Sequence, residues 1–95
     1  LVPPVNDLVG TYDPAREVAT FTWAFDSDKA QEGDSFAWKK LDPIKDTPYK
    51  EIFDETTVEL RAKPGEQVCI EVIVDRDGRF SASPQKACVT AEGAA

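Results

Sequence analysis

The chain has no histidine and no methionine among its 95 residues. Without histidine it lacks the commonest general base and the commonest metal ligand. Glycine is sparse, with five residues, and they form neither a Gly-rich phosphate loop nor a Gly-x-Ser-x-Gly elbow. Ser and Thr are present, but no base stands in a pattern that would activate a hydroxyl. The sequence therefore predicts a non-catalytic protein with no cofactor and no resident metal. Basic residues are also few, 11 against 18 acidic, for a net charge of −7. Phosphate binding draws on clustered Lys and Arg, so this balance argues against nucleic acid and against anionic membrane surfaces as partners. No run approaches the ~18 consecutive apolar residues of a membrane span. No signal-peptide pattern appears. The chain opens LVPPV and closes AEGAA, so residues 1–4 and 92–95 read as linker belonging to a longer protein.

What is present points to one small domain. Hydrophobic residues make up 41% of the chain, enough for a single core at a common domain size. Turn signals recur at short intervals: Asp13-Pro14, Glu32-Gly33-Asp34, Asp42-Pro43, Thr47-Pro48, Pro64-Gly65 and Asp77-Gly78. The segments between them are rich in Val, Thr, Phe, Trp and Ile, and none carries a helical stripe. Many short strands at such spacing predict an all-β sandwich or barrel.

Seven strands are expected, over residues 6–11, 17–25, 35–40, 49–53, 57–62, 67–75 and 80–91. Period-two alternation assigns their faces. Inward go Leu8; Ala19, Phe21, Trp23 and Phe25; Phe36 and Trp38; Val58, Leu60 and Ala62; and Val68, Ile70, Val72 and Val74. The opposite face of the sixth strand, with Gln67, Cys69, Glu71, Ile73 and Asp75, is expected to be mostly wet. Val18, Thr20 and Thr22 form an ordinary outer face. Pro84 cannot donate to a ladder, so it predicts an edge position, a bulge or a break in the last strand.

The two cysteines fall into register if the sixth and seventh strands form a hairpin about Gly78. Cys69 lies nine residues before that turn and Cys88 ten after it. A directly opposed non-hydrogen-bonded pair brings Cα atoms to about 4.5 Å, within reach of a disulfide. Free cysteines favour dry sites, and Cys69 is assigned to the wet face. A Cys69–Cys88 disulfide is therefore expected, and with it an oxidising, extracellular or cell-surface location.

In order along the chain, these residues resemble a fibronectin type III domain. Phe21-x-Trp23 is similar to the family's second strand, and Phe36-x-Trp38 stands where the third usually carries Tyr-x-Val. Ala62-Lys63-Pro64-Gly65-Glu66-Gln67-Val68 resembles its Leu-x-Pro-Gly-x-x-Tyr corner. Ile70-x-Val72-x-Val74 continues like its sixth strand. Asp77-Gly78 with Phe80-Ser81-Ala82-Ser83-Pro84 is similar to its last loop and strand. The resemblance implies a seven-stranded antiparallel immunoglobulin-like β-sandwich. Two departures stand out. Val68 replaces the corner Tyr and its hydroxyl bond, and Ala62 replaces a Leu. With the cysteine placement, they look more like bacterial extracellular members than animal matrix modules.

In such a fold the loops after the second, fourth and sixth strands emerge at one end. Here they hold Asp26, Asp28, Glu32 and Asp34; Asp54 and Glu55; and Asp75 and Asp77, with Lys29, Arg76 and Arg79 nearby. This cluster is either an acidic tip for a basic protein partner or a set of solvated loops partly neutralised by those bases. Neither Asp26-Ser27-Asp28 nor Asp75-Arg76-Asp77-Gly78 completes a calcium loop. Arg76-Asp77-Gly78 reads as a turn, with Gly78 supplying positive φ. Trp23, Trp38, Phe21 and Phe36 alternate inward and read as core, not as a sugar platform. The expectation is a monomeric, non-catalytic extracellular module of a larger bacterial protein, acting as spacer and protein-contact unit. Two other readings are a ligand-binding ectodomain like those of cytokine receptors, and an accessory module of a polysaccharide-degrading enzyme.

Overall fold

The computed structural model describes residues 1–92, so residues 93–95 of the expected 92–95 linker lie outside the described residues. Eight strands follow in order: β1 (Asn6–Asp13), β2 (Val18–Ala24), β3 (Asp34–Lys40), β4 (Lys50–Ile52), β5 (Thr57–Arg61), β6 (Gln67–Arg76), β7 (Arg79–Phe80) and β8 (Gln85–Thr90). They form two antiparallel sheets. One has the order β1-β2-β5; the other runs β4-β3-β6, with both β7 and β8 on the far side of β6.

The alternating positions of β2 explain the core. Ala19, Phe21 and Trp23 all turn inward and are buried. From the facing sheet, Trp38, Val68, Ile70, Val72 and Val74 join them in one cluster. Two sheets closing over a shared core make the chain a β-sandwich. Trp23 and Phe25 both meet Phe36 edge-on, with ring centroids 5.7 Å apart in each pair. Phe25 lies just past the end of β2 and is half-buried against the core. Within the expected leading linker, Val2 packs against the core, and the next apolar residue, Val5, is buried.

Two sequence expectations need correction. The single last strand expected over residues 80–91 is two. β7 pairs Asp75 with Phe80, whereas β8 pairs Val72 with Gln85. Residues 81–84 therefore detour opposite only Ile73 and Val74, at the Pro84 that cannot donate. Ser81 mends the gap. Its backbone N–H donates to the Val74 carbonyl at 2.9 Å, and its Oγ accepts the Val74 N–H at 2.9 Å. A side-chain hydroxyl thus replaces the carbonyl that a continuous strand would supply.

The second correction concerns the outer face of β6. Gln67 is exposed and Cys69 and Asp75 are half-buried, but Glu71 and Ile73 are buried. Parity identified this face correctly; what covers it comes from elsewhere. Tyr49, just before β4 on one edge of the sheet, donates its hydroxyl to Glu71. Its ring also meets Phe80 of β7, from the other edge, at 6.0 Å. The two rings bridge the rows that flank Ile73.

The corner Tyr missing at Val68 has a substitute. Tyr12, at the end of β1, donates its hydroxyl to the Ala62 carbonyl at 2.7 Å across fifty positions of sequence. At the opposite end of β6, Asp77 and Gly78 form a two-residue hairpin loop between the paired Arg76 and Arg79. Both have positive φ, 51° and 86°, as the tight turn that matches strand twist requires.

Candidate protein-contact surface and disulfide

The register places the loops at residues 25–33, 53–56 and 77–78 at one end of the sandwich. Phe36 lies opposite both Ile52 and Val74, which aligns the ends of β3, β4 and β6. Thr56 accepts a hydrogen bond from Trp23 at 3.1 Å, which ties the β4–β5 loop to the end of β2.

The eight acidic residues do not act as one group. Asp34 is neutralised internally by a two-pronged contact with Arg76: Nε to Oδ1 at 2.9 Å and Nη2 to Oδ2 at 3.0 Å. The Arg76 Nη2 also donates to the Lys29 carbonyl at 3.0 Å. The Arg76 hydrogen bonds hold the Asp34 carboxyl below its ordinary value, against the opposing effect of burial. A planar fork on a carboxylate is the strong form of this contact; here it closes the end of the β3–β6 ladder, while the bond to Lys29 clips the β2–β3 loop to the end of β6. Asp75 is turned to structural use as well, accepting the Gly78 N–H at 2.8 Å. Asp26 accepts the Asp28 N–H at 3.0 Å and so shapes its own loop.

Asp26, Asp28, Glu32, Asp54, Glu55 and Asp77 are all exposed, and none forms an ion pair among the described residues. Asp77 stands beside Gly33, where an added Cβ would sit 3.5 Å from its Oδ1. No group of three or more Cys, Asp or Glu is gathered to hold a metal ion among the described residues.

A second arrangement, on the outer face of the five-stranded sheet, escaped the sequence reading. Ser35 is opposite Asp75 in the β3–β6 ladder and donates to Glu51 Oε2 at 2.8 Å. Burial and the neighbouring Asp75 carboxyl raise the Glu51 pKa, while the Ser35 hydrogen bond works against them. Next along the face, burial and the bond to Glu71 push the Tyr49 hydroxyl up to about 12. Lys39 bonds Asp46 at 2.9 Å, which raises its pKa, and lies 5.0 Å from the Tyr49 ring centroid. The signal available in sequence was two acids on the outer face of β6, Glu71 and Asp75, on either side of Ile73. The partners Tyr49 and Glu51 come from β4 and the residue just before it and were not legible.

Cys69 and Cys88 form a disulfide, with Cα atoms 4.0 Å apart. They are directly opposed in the β6–β8 ladder. The Cys69 carbonyl points the other way, accepting the Leu41 N–H at 2.8 Å. The pair is therefore non-hydrogen-bonded, the register in which opposed side chains come closest. Such a bridge is compatible with an oxidising compartment.

Fold and site together define a disulfide-bonded β-sandwich module with an acid-rich loop end. No protein-family model matches the chain, and no curated protein matches its sequence.

Proposed function

We propose that the chain is a fibronectin type III-like, non-catalytic module of a larger extracellular or cell-surface bacterial protein, serving as spacer and protein-contact unit. The placement of β4 supports the family reading. In constant-type immunoglobulin domains the fourth strand belongs to the first sheet; here it pairs with β3. The path of the chain supports the spacer role. Asn6 lies beside Ala24 at the acidic end, whereas Thr90 lies beside Gln67 at the other. A longer polypeptide would thus cross the unit along its 44 Å axis.

The observation that carries the contact role is the set of exposed, unpaired carboxylates left at the loop end once Arg76 has taken Asp34. Such a field favours encounter with a basic protein surface. The polysaccharide-accessory reading has little to stand on, because Trp23 and Trp38, the two tryptophans, are both buried.

The test uses the full-length protein on its native cell. A photo-cross-linker replacing Glu32 should capture a protein with a basic surface. Capture should fall with added salt and disappear in the Asp28→Lys/Asp54→Lys/Glu55→Lys variant. Capture that ignores both salt and charge reversal would refute the contact role. Protection of the protein from added protease in intact cells, with cleavage only after lysis, would refute the extracellular one.

A further inference from the structure

The disulfide lies in an unusual mechanical position. It joins two strands that are already neighbours in one ladder. Pairing runs on both sides of it, from Gln67–Thr90 to Val72–Gln85. Beyond it, the Gly65 N–H donates to the Ala91 carbonyl at 2.7 Å and the Ala91 N–H to the Glu66 carbonyl at 2.8 Å. On the inner face of the same strands, Val68 and Ile70 are buried in the core, with Ala87 and Val89 packed against it. The alignment of β6 and β8 is thus maintained by backbone bonds and apolar contact whether or not the sulfurs are joined.

The bridge is also open to solvent on one side. Cys88 is exposed, while Cys69 is half-buried. Lys86 is exposed on the same face, two residues from Cys88 and opposite Glu71, hence diagonal to Cys69. It forms no ion pair among the described residues. An ammonium group beside a sulfur favours the thiolate over the thiol.

We propose that Cys69–Cys88 is a reversible thiol–disulfide exchange site, attacked at Cys88 Sγ by a dithiol reductant and cycled without loss of the sandwich. This goes beyond the contact-module reading and does not depend on it. In the first step a thiolate of the reductant bonds to Cys88 Sγ as the Sγ–Sγ bond breaks. Cys69 leaves with the electron pair as a thiolate, diagonal to Lys86 across the ladder, and takes a proton from water. In the second step the reductant's other thiolate attacks its own mixed-disulfide sulfur. Cys88 leaves as a thiolate and is protonated in turn, and the reductant departs as a disulfide. Two electrons pass from the dithiol to the pair. An oxidised dithiol protein or a small disulfide reverses the sequence.

The experiment reads reduction and fold on the same sample. The oxidised protein is treated with dithiothreitol in native buffer and, separately, in urea. Thiols are trapped by alkylation and counted by mass spectrometry, and the amide spectrum is followed in parallel. Both cysteines should be reduced natively at a rate within about tenfold of that in urea, with dispersed amide resonances retained. With glutathione as a monothiol probe, the first adduct should form on Cys88, and Lys86→Gln should slow its formation several-fold. The Cys69→Ala/Cys88→Ala variant gives an independent check that the unbridged chain folds. Reduction that waits on global unfolding, a first adduct on Cys69, or collapse of the amide spectrum on reduction would each overturn the proposal.

Discussion

A Cβ built on Gly10 would stand 2.7 Å from Cε1 of Phe21, its cross-strand partner. The Phe21 ring is fully buried and lies against the β1 backbone. Gly10 is therefore required for close approach, not for its backbone angle. Gly10→Ala should lower stability by roughly 1–3 kcal/mol through overpacking, as measured by urea denaturation. An unchanged midpoint would mean that Phe21 has space to move.

Ser81→Ala should be costly for a different reason. It leaves the Val74 N–H without an acceptor inside a buried strand. An unsatisfied buried donor costs roughly 1–3 kcal/mol. Amide hydrogen exchange at Val74 should accelerate more than at Val72, whose register with Gln85 of β8 is regular. Equal protection at the two sites would contradict the role assigned to the hydroxyl.

Replacing both cysteines by alanine should lower the melting temperature while preserving the sandwich. The bridge closes a loop with a sequence separation of 19, worth roughly 3 kcal/mol in the chain-entropy model. That effect acts on the unfolded chain, so dispersed amide resonances should remain. Unchanged thermal stability would remove the staple.

The pH dependence should show two opposed trends. Glu51 has a folded pKa above its ordinary 4.5. Between those two values the folded state binds more protons than the unfolded one, so stability falls as pH rises through the window. Asp34 and Asp42 shift the other way from 3.8. Asp34 is lowered by Arg76, and Asp42 by the backbone N–H groups of Ile44 and Lys45. Their contribution is present above pH 3.8 and is lost as pH falls through their lowered values. Stability should therefore rise on mild acidification toward 4.5 and drop below 3.8. Glu51→Gln should flatten the first trend, because its amide can accept from Ser35 and donate to Asp75. Asp34→Asn should weaken the second. Denaturation midpoints from pH 3 to 7 provide the check, and a Glu51→Gln profile parallel to the parent would exclude the carboxyl pair.

The fold was largely legible in sequence because alternation is a local property. Each apolar residue two places from the next lands on the same face of a strand, so Ala19, Phe21 and Trp23, or Val68 through Val74, declare themselves. The Cys69–Cys88 pairing was anticipated, but an unbroken hairpin is not its reason. The Arg76–Arg79 hairpin, continued without interruption, would set Cys69 opposite Lys86, and the detour at residues 81–84 shifts β8 by two residues to bring Cys88 there. The acidic loops were legible as composition. Their division into a clipped Asp34 and unpaired neighbours was not, because Arg76 lies 42 positions away in sequence.

By itself, then, the sequence determined the all-β character and the faces of the strands, consequences of a two-residue period and a few turns, while the register that joins Cys69 to Cys88 also needed the two-residue shift at the break in the last strand. Only the tertiary structure decided that the outer side of β6 is covered, that the last strand is broken and mended by Ser81, and that Tyr12 braces Ala62. Those outcomes depend on side chains such as Tyr49 and Phe80, brought in from opposite sheet edges. Their meeting follows from how the sheets close, which no local pattern encodes.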